Sequence, residues 1–162
     1  MERLDFQNDW PIPNDFMLEL GRMSSAWGSL ETNVNIAIGK LAGYTEIYDH
    51  RAAILLAHSN FQQRVEILET LFEQASKDFS SLENYDPIIK AIKSAQKGRN
   101  KFTHNGMSFN SETNRMEMVS FSARGSMKSS VKPVYLNELK EVTAKTHEAM
   151  CMLYSVIIGK EL

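Results

Sequence analysis

Apolar side chains recur at Phe16, Leu20, Met23, Trp27, Leu30, Val34, Ile38 and Leu41, and every step between them is three or four residues. An α-helix brings such positions onto one stripe, so the spacing predicts one long amphipathic helix ending near Gly43. Asn14 or Asp15 is expected to cap it by accepting hydrogen bonds from first-turn amides that have no helical partner. Ahead of it, Trp10-Pro11-Ile12-Pro13 is a proline-punctuated lead-in that cannot be helical throughout. A helix of this length cannot bury its stripe alone, and the rest of the chain has to supply the opposing faces.

A second helical region is read from about Ile47 to Ala75, with Ile54, Leu55, Phe61, Val65, Leu68, Leu71 and Phe72 on its stripe and a kink or fresh cap at Ser59-Asn60. The polar stretch Ser76 to Asp86 reads as a loop, and Pro87 suits the first turn of a third helix carrying Ile88, Ile92, Ala95 and Phe102. After Asn105-Gly106 the period shortens. Met107, Phe109, Met116, Met118, Ser120 and Ser122 lie in near-alternating stretches around the turn chemistry of Ser111 to Asn114, which predicts a β-hairpin. Ala123 to Ser130 reads as a mobile loop, Val131 to Tyr135 as a short edge strand interrupted by Pro133, and Asn137 to Ile158 as a final helix with Leu139, Val142, Thr146, Met150, Leu153 and Ile157 inward.

The expected fold is therefore mainly all-α: an antiparallel bundle of four to five helices with a small β-hairpin insertion before the last helix. At 162 residues the chain suits a single domain, 1–162, with residues 106–135 as the hairpin and loop insertion. A 43% hydrophobic and 23% charged composition argues against disorder, and a net charge of −2 gives no global attraction to nucleic acid, so any RNA contact must come from a local patch. The N-terminus has neither the basic flank nor the apolar run of a secretory signal, and no apolar run reaches the ~18 residues of a membrane span, so a cytoplasmic protein with no membrane partner is expected. The single cysteine, Cys151, is expected to be a buried small hydrophobe, and the nine methionines adaptable core filler. Neither the histidines nor the carboxylates have metal-ligand spacing, and there is no phosphate-binding glycine loop or Gly-x-Ser-x-Gly elbow, so no metal or cofactor is expected.

Chemistry concentrates in Arg99-Asn100-Lys101-Phe102-Thr103-His104. An arginine holds a phosphate through a planar fork of donors, and a histidine moves protons near neutral pH. Together they point to phosphodiester chemistry without a metal. On a regular helix Arg99 shares a face with Ile88, Ile92 and Ala95, while Lys90, Lys93, Lys97 and Lys101 line the opposite one and His104 falls about 140° from Arg99. Three devices bring Arg99 and His104 together: fraying at Asn105-Gly106, a bend at Gly98, or a second copy of the chain. Asn100, four residues before His104, is placed to orient its ring. The alternative is that Arg99 closes a buried ion pair and His104 merely ends a helix.

The Arg99 to His104 spacing resembles the arginine, four-to-six residues, histidine signature of the HEPN superfamily, in which the residue after the arginine is usually polar, here Asn100. Trp27-Gly28-Ser29-Leu30-Glu31 is similar to the aromatic-then-glutamate pattern in the first helix of several such families, and the order of long helices agrees. The segment between the third and final helices departs from a minimal HEPN bundle. The resemblance implies a metal-independent endoribonuclease working as a homodimer whose two copies line one composite cleft. His104 would act as general base or acid and Arg99 would stabilise charge on the phosphate, with Asn100 beside them. Attack by the ribose 2′-hydroxyl would leave a 2′,3′-cyclic phosphate.

Glu31 is the expected supporting carboxylate, pairing with Arg99 or His104, and Lys97 and Lys101 are the expected RNA-binding cations. Arg22, Arg51 and His58 are weaker candidates for the same cluster. By family analogy the setting is toxin–antitoxin or antiviral defence, with an antitoxin or other protein partner. The competing reading is a non-catalytic HEPN-like module that binds a nucleotide or a protein.

Overall fold

The computed structural model describes residues 12–47, 49–123 and 125–158, so Trp10-Pro11 of the lead-in lies outside the described residues. The long stripe forms α1, Asn14–Leu41, with Met23, Trp27, Leu30, Val34 and Ile38 buried along it. Its cap differs from the expectation. Pro13, at φ −56°, occupies the position before the first turn and its carbonyl accepts from the Met17 amide at 3.1 Å, whereas Asp15 Oδ1 accepts only from the neighbouring Phe16 amide at 2.9 Å. Proline presets the required φ and has no amide of its own to satisfy, which removes the need for a polar side chain there. Beyond Leu41, Gly43 takes φ +85°, a conformation that suits glycine at the end of a helix.

The second helical region is two helices, α2 (His50–Leu56) and α3 (Phe61–Ala75). Asn60 is a fresh cap: its Oδ1 accepts from the Gln63 amide at 3.0 Å, and Gln63 Oε1 accepts from the Asn60 amide at 2.9 Å. Arg64 secures the break by donating to the Ser59 and Leu56 carbonyls at 3.1 and 3.3 Å and to Asn35 Oδ1 of α1 at 3.3 Å. The break turns α2 about its axis relative to α3. Ala52 and Leu56 face inward, and Ile54 and Leu55, expected on the buried stripe, stand in solvent.

The expected loop Ser76 to Asp86 contains one 3₁₀ turn, Ser80–Leu82, that buries Leu82. Helix α4, Asp86–Thr103, starts with Pro87 in its first turn and buries Ile88, Ile89, Ile92, Ala95 and Phe102. The insertion is a three-stranded antiparallel sheet rather than a hairpin: β1 (Gly106–Asn110), β2 (Arg115–Ser122) and β3 (Lys128–Val134), in that order. β3 begins three residues earlier than the expected edge strand and takes in part of the stretch read as a loop, because Lys128 already pairs with Ser122. Pro133 sits opposite Glu117 on this edge strand, the kind of strand in which proline is tolerated. Asn114 turns the β1–β2 connection at φ 52°.

The final helix, α5, spans Leu136–Leu153 and continues as a π-helical turn, Tyr154–Ile158, instead of running regularly to Ile158. Lys40 Nζ donates to the Ile157 carbonyl at 2.8 Å and so ties this turn to the end of α1. Cys151 is exposed, with its Sγ 3.8 Å from the His147 ring nitrogens, because α5 turns Leu139, Val142, Thr146, Ala149 and Leu153 inward and leaves position 151 outside that stripe. Met23, Met116 and Met118 are buried, whereas Met17 and Met127 are exposed.

Among the described residues two apolar cores result. The larger joins α1, α3, α4 and α5 around Leu30, Leu68, Phe72, Ile92 and Leu153. The smaller joins the start of α1 and the end of α4 to the inner face of the sheet through Met23, Phe102, Met116, Met118, Val134 and Leu139. The molecule is mainly helical with one small antiparallel sheet, and no described helix is long and apolar enough to cross a membrane.

Candidate functional site

The last turn of α4 is held in place by its own side chains. The His104 amide donates to the Asn100 carbonyl at 3.3 Å, Asn105 Nδ2 to the Lys101 carbonyl at 2.7 Å, and Thr103 Oγ1 to the Arg99 carbonyl at 3.1 Å. The first two bonds satisfy carbonyls that a helix end leaves open, and α4 stays helical through Thr103. His104 then leaves helical geometry at φ −109°, ψ 3°.

Gly98 lies inside α4, which is continuous from Asp86 to Thr103. A Cβ there would lie 2.9 Å from Val142 Cγ2 and 3.1 Å from Cγ1, so the glycine allows α4 and α5 to approach closely. Helix α4 is thus unbroken between Arg99 and Thr103, and along a regular helix positions 99 and 104 stand about 140° apart and about 7.5 Å along the axis.

Arg99 is half-buried. Its guanidinium carbon lies 5.2 Å from the centroid of the Trp27 ring, and Nη1 donates to Asn100 Oδ1 at 3.2 Å. Trp27 is itself fixed from below by Phe61, with centroids 4.4 Å apart and planes inclined at 56°. Arg99 forms no ion pair with any described residue, so the buried ion pair of the alternative reading is not made among them. A cation held on an aromatic face with no described carboxylate opposite keeps the donors not engaged by Asn100 available to an external anion.

His104 is exposed, and its imidazole makes no hydrogen bond to a described residue. The Asn100 carboxamide oxygen is engaged by Arg99 and makes no hydrogen bond to the histidine. Glu31, half-buried on α1, pairs with neither Arg99 nor His104. Lys101 pairs with Glu138 of α5 and lies 4.9 Å from the Phe102 ring centroid. The hydrogen bond from Lys101 holds the Glu138 carboxyl below its ordinary range, and a bond from the Tyr135 amide adds to this against the opposing effect of burial. Lys97 is exposed beside the junction with α5.

The weaker candidates belong to other surroundings. Arg22 pairs with Glu19 at 3.5 Å, and Arg51 grips Asp49, the cap of α2. Among the described residues no group of three or more His, Cys, Asp or Glu is arranged to hold a metal ion.

No family model matches the chain, and neither curated proteins nor solved structures give a significant match. What the site can do is therefore read from its own groups. Trp27 as the support of Arg99 and Lys145 of α5 as a neighbour of Lys97 were not recognised from the sequence. The first pair is separated by 72 positions (99 − 27) and the second by 48 (145 − 97), and no local spacing joins residues so far apart.

Proposed function

We propose that the protein is a HEPN-like endoribonuclease of the cytoplasm, a helical bundle whose copies pair so that Arg99 of one faces His104 of the other across an RNA backbone. The observation that carries this reading is the Arg99 guanidinium, held on Trp27 with no described counter-charge, five residues from an exposed and unbonded imidazole. Arg99 stabilises charge developing on the phosphate, and His104 takes the proton from the 2′-hydroxyl or gives one to the leaving 5′-oxygen. No metal takes part in these steps. An antitoxin or another protein partner would act by covering this cleft.

A non-catalytic module that binds a nucleotide or a protein is the second reading, favoured by the unbroken α4, since positions five apart on a regular helix stand about 140° apart. RNA cleavage in the presence of a chelator separates the two. The wild type is expected to yield 2′,3′-cyclic phosphate ends, a deoxy substitution at the scissile nucleotide to block cleavage, and His104→Ala to lower kcat by about 10²–10⁴-fold. Folded Arg99→Ala and His104→Ala proteins that cleave as fast as wild type would remove the nuclease reading.

A further inference from the structure

Helices α4 and α5 do not close completely over one another. Between them runs an open groove with Ala95, Gly98 and Val142 on its floor and Lys97, Lys101 and Lys145 among its walls, and no described carboxylate lines it. The width of the groove is set by the Gly98–Val142 approach, which draws the helix backbones together and leaves the longer lysine side chains standing on either side. Lys101 is partly neutralised by Glu138, but Lys97 and Lys145 form no ion pair with a described residue. Like-charged groups brought together from two helices over an apolar floor repel one another unless an anion lies between them.

The direction of the groove matters as much as its charge. Lys97 and Lys101 stand at i and i+4 on α4, a spacing that puts them on one side of the helix, and His104, which caps its C-terminal end, follows at i+7. The chain as a whole is acidic, at −2, so this cationic strip stands out from its surroundings and would draw a polyanion by local field rather than by net charge.

We infer that the α4–α5 groove is a binding track for the phosphate backbone of single-stranded RNA, in which Lys97 and Lys145 hold successive phosphates and deliver the strand to His104. The inference rests on the nuclease reading for its choice of RNA. The lysines contact phosphates and read no bases, so the track is tolerant of sequence and sensitive to salt. Lys145 enters the site from α5, and its role is to bind substrate.

The test uses the whole chain and a short fluorescent 2′-O-methyl oligouridylate, which keeps the backbone charge and cannot be cleaved. Binding is measured by anisotropy between about 50 and 200 mM salt. The double variant Lys97→Gln/Lys145→Gln is expected to bind roughly tenfold more weakly at the low-salt end, and its plot of log affinity against log salt to be shallower by about 1.4, at about 0.7 for each lost phosphate contact on a single strand. Lys77→Gln, in the turn that follows α3 and outside the groove lining, is the control and is expected to bind as wild type does.

A double variant that binds the oligonucleotide and cleaves RNA as wild type does overturns the track and leaves the nuclease reading intact. Lysine-dependent binding without cleavage of any RNA supports the track and removes the nuclease reading. A wild type that ignores the oligonucleotide at low salt but binds polyglutamate through the same lysines overturns the track in favour of an acidic protein partner.

Discussion

The Arg99 guanidinium rests on the Trp27 indole, its central carbon 5.2 Å from the ring centroid, and it has no described carboxylate partner. Most half-buried arginines are neutralised by an acid, whose loss leaves an uncompensated charge. Here an aromatic face carries out part of that task, and the donor fork is left for another molecule.

Trp27 therefore acts as a positioning residue for the arginine, and its ring matters more than its size. Trp27→Phe is expected to keep most of the cleavage rate, whereas Trp27→Leu loses about tenfold in kcat, the equivalent of a cation–π contact of about 1–2 kcal/mol. Both proteins are compared at a temperature below their melting transitions. Equal rates for the two variants would show that the ring face contributes nothing to Arg99.

Because α4 stays regular through Thr103, a composite cleft predicts complementation between defective chains. Arg99→Ala and His104→Ala proteins, each inactive alone, are expected to recover up to about a quarter of the wild-type rate when unfolded together and refolded as an equal mixture. Half of the dimers are then mixed, and each mixed dimer retains one of the two Arg99–His104 pairs in its shared cleft. Measuring cleavage of the refolded mixture decides it, and a mixture as inactive as its components would place both groups within one chain.

Gly98 predicts a packing defect on substitution. Gly98→Ala gains about 1 kcal/mol in helix propensity but forces a Cβ against both Val142 methyls, an overpacking that costs typically about 1–3 kcal/mol, so a net loss of about 1 kcal/mol is expected. Adding Val142→Ala to Gly98→Ala should cost less than Val142→Ala costs in wild type. Denaturant titration of the four proteins in the cycle measures that coupling, and strict additivity would mean that the two positions do not meet.

Acid sensitivity is predicted at the other end of the molecule. The Asp49 carboxylate accepts from Arg51 Nε at 3.0 Å, and this side-chain hydrogen bond is the main reason that its pKa falls from 3.8 to about 2, with the Arg51 amide and charge assisting against burial. A folded value below the ordinary one means that the contribution to stability is complete above the ordinary value and is lost as pH falls through the folded one, from about pH 4 to about pH 2. Urea midpoints should drop more steeply for wild type than for Asp49→Asn across that window. Parallel curves would show that Asp49 titrates alike in the folded and unfolded chains.

The helices were legible in the sequence wherever a stripe was long. α1 and α4 follow from steps of three and four, and Asn60 announced the break before α3 because an amide side chain three residues ahead of Gln63 has an obvious use. The short α2 was misread because Ile54 and Leu55 are as apolar as core residues, and only the break that follows shows which way the helix is turned. Cys151 was misjudged for a related reason, since the apolar run around it conceals an outward position on α5. The third strand was hidden by its polar composition, as Lys128, Ser129 and Ser130 owe their extended form to pairing with β2. Within the site, the residues next to one another in sequence were visible, and those brought together by packing, Trp27 with Arg99 and Lys97 with Lys145, were not.

Only Asn105 separates His104 from the first residue of β1. The histidine is thus tied through one residue to Gly106, which is paired with Val119 in the ladder. A molecule that gripped the outer strands would have a lever on the histidine without ever entering the cleft.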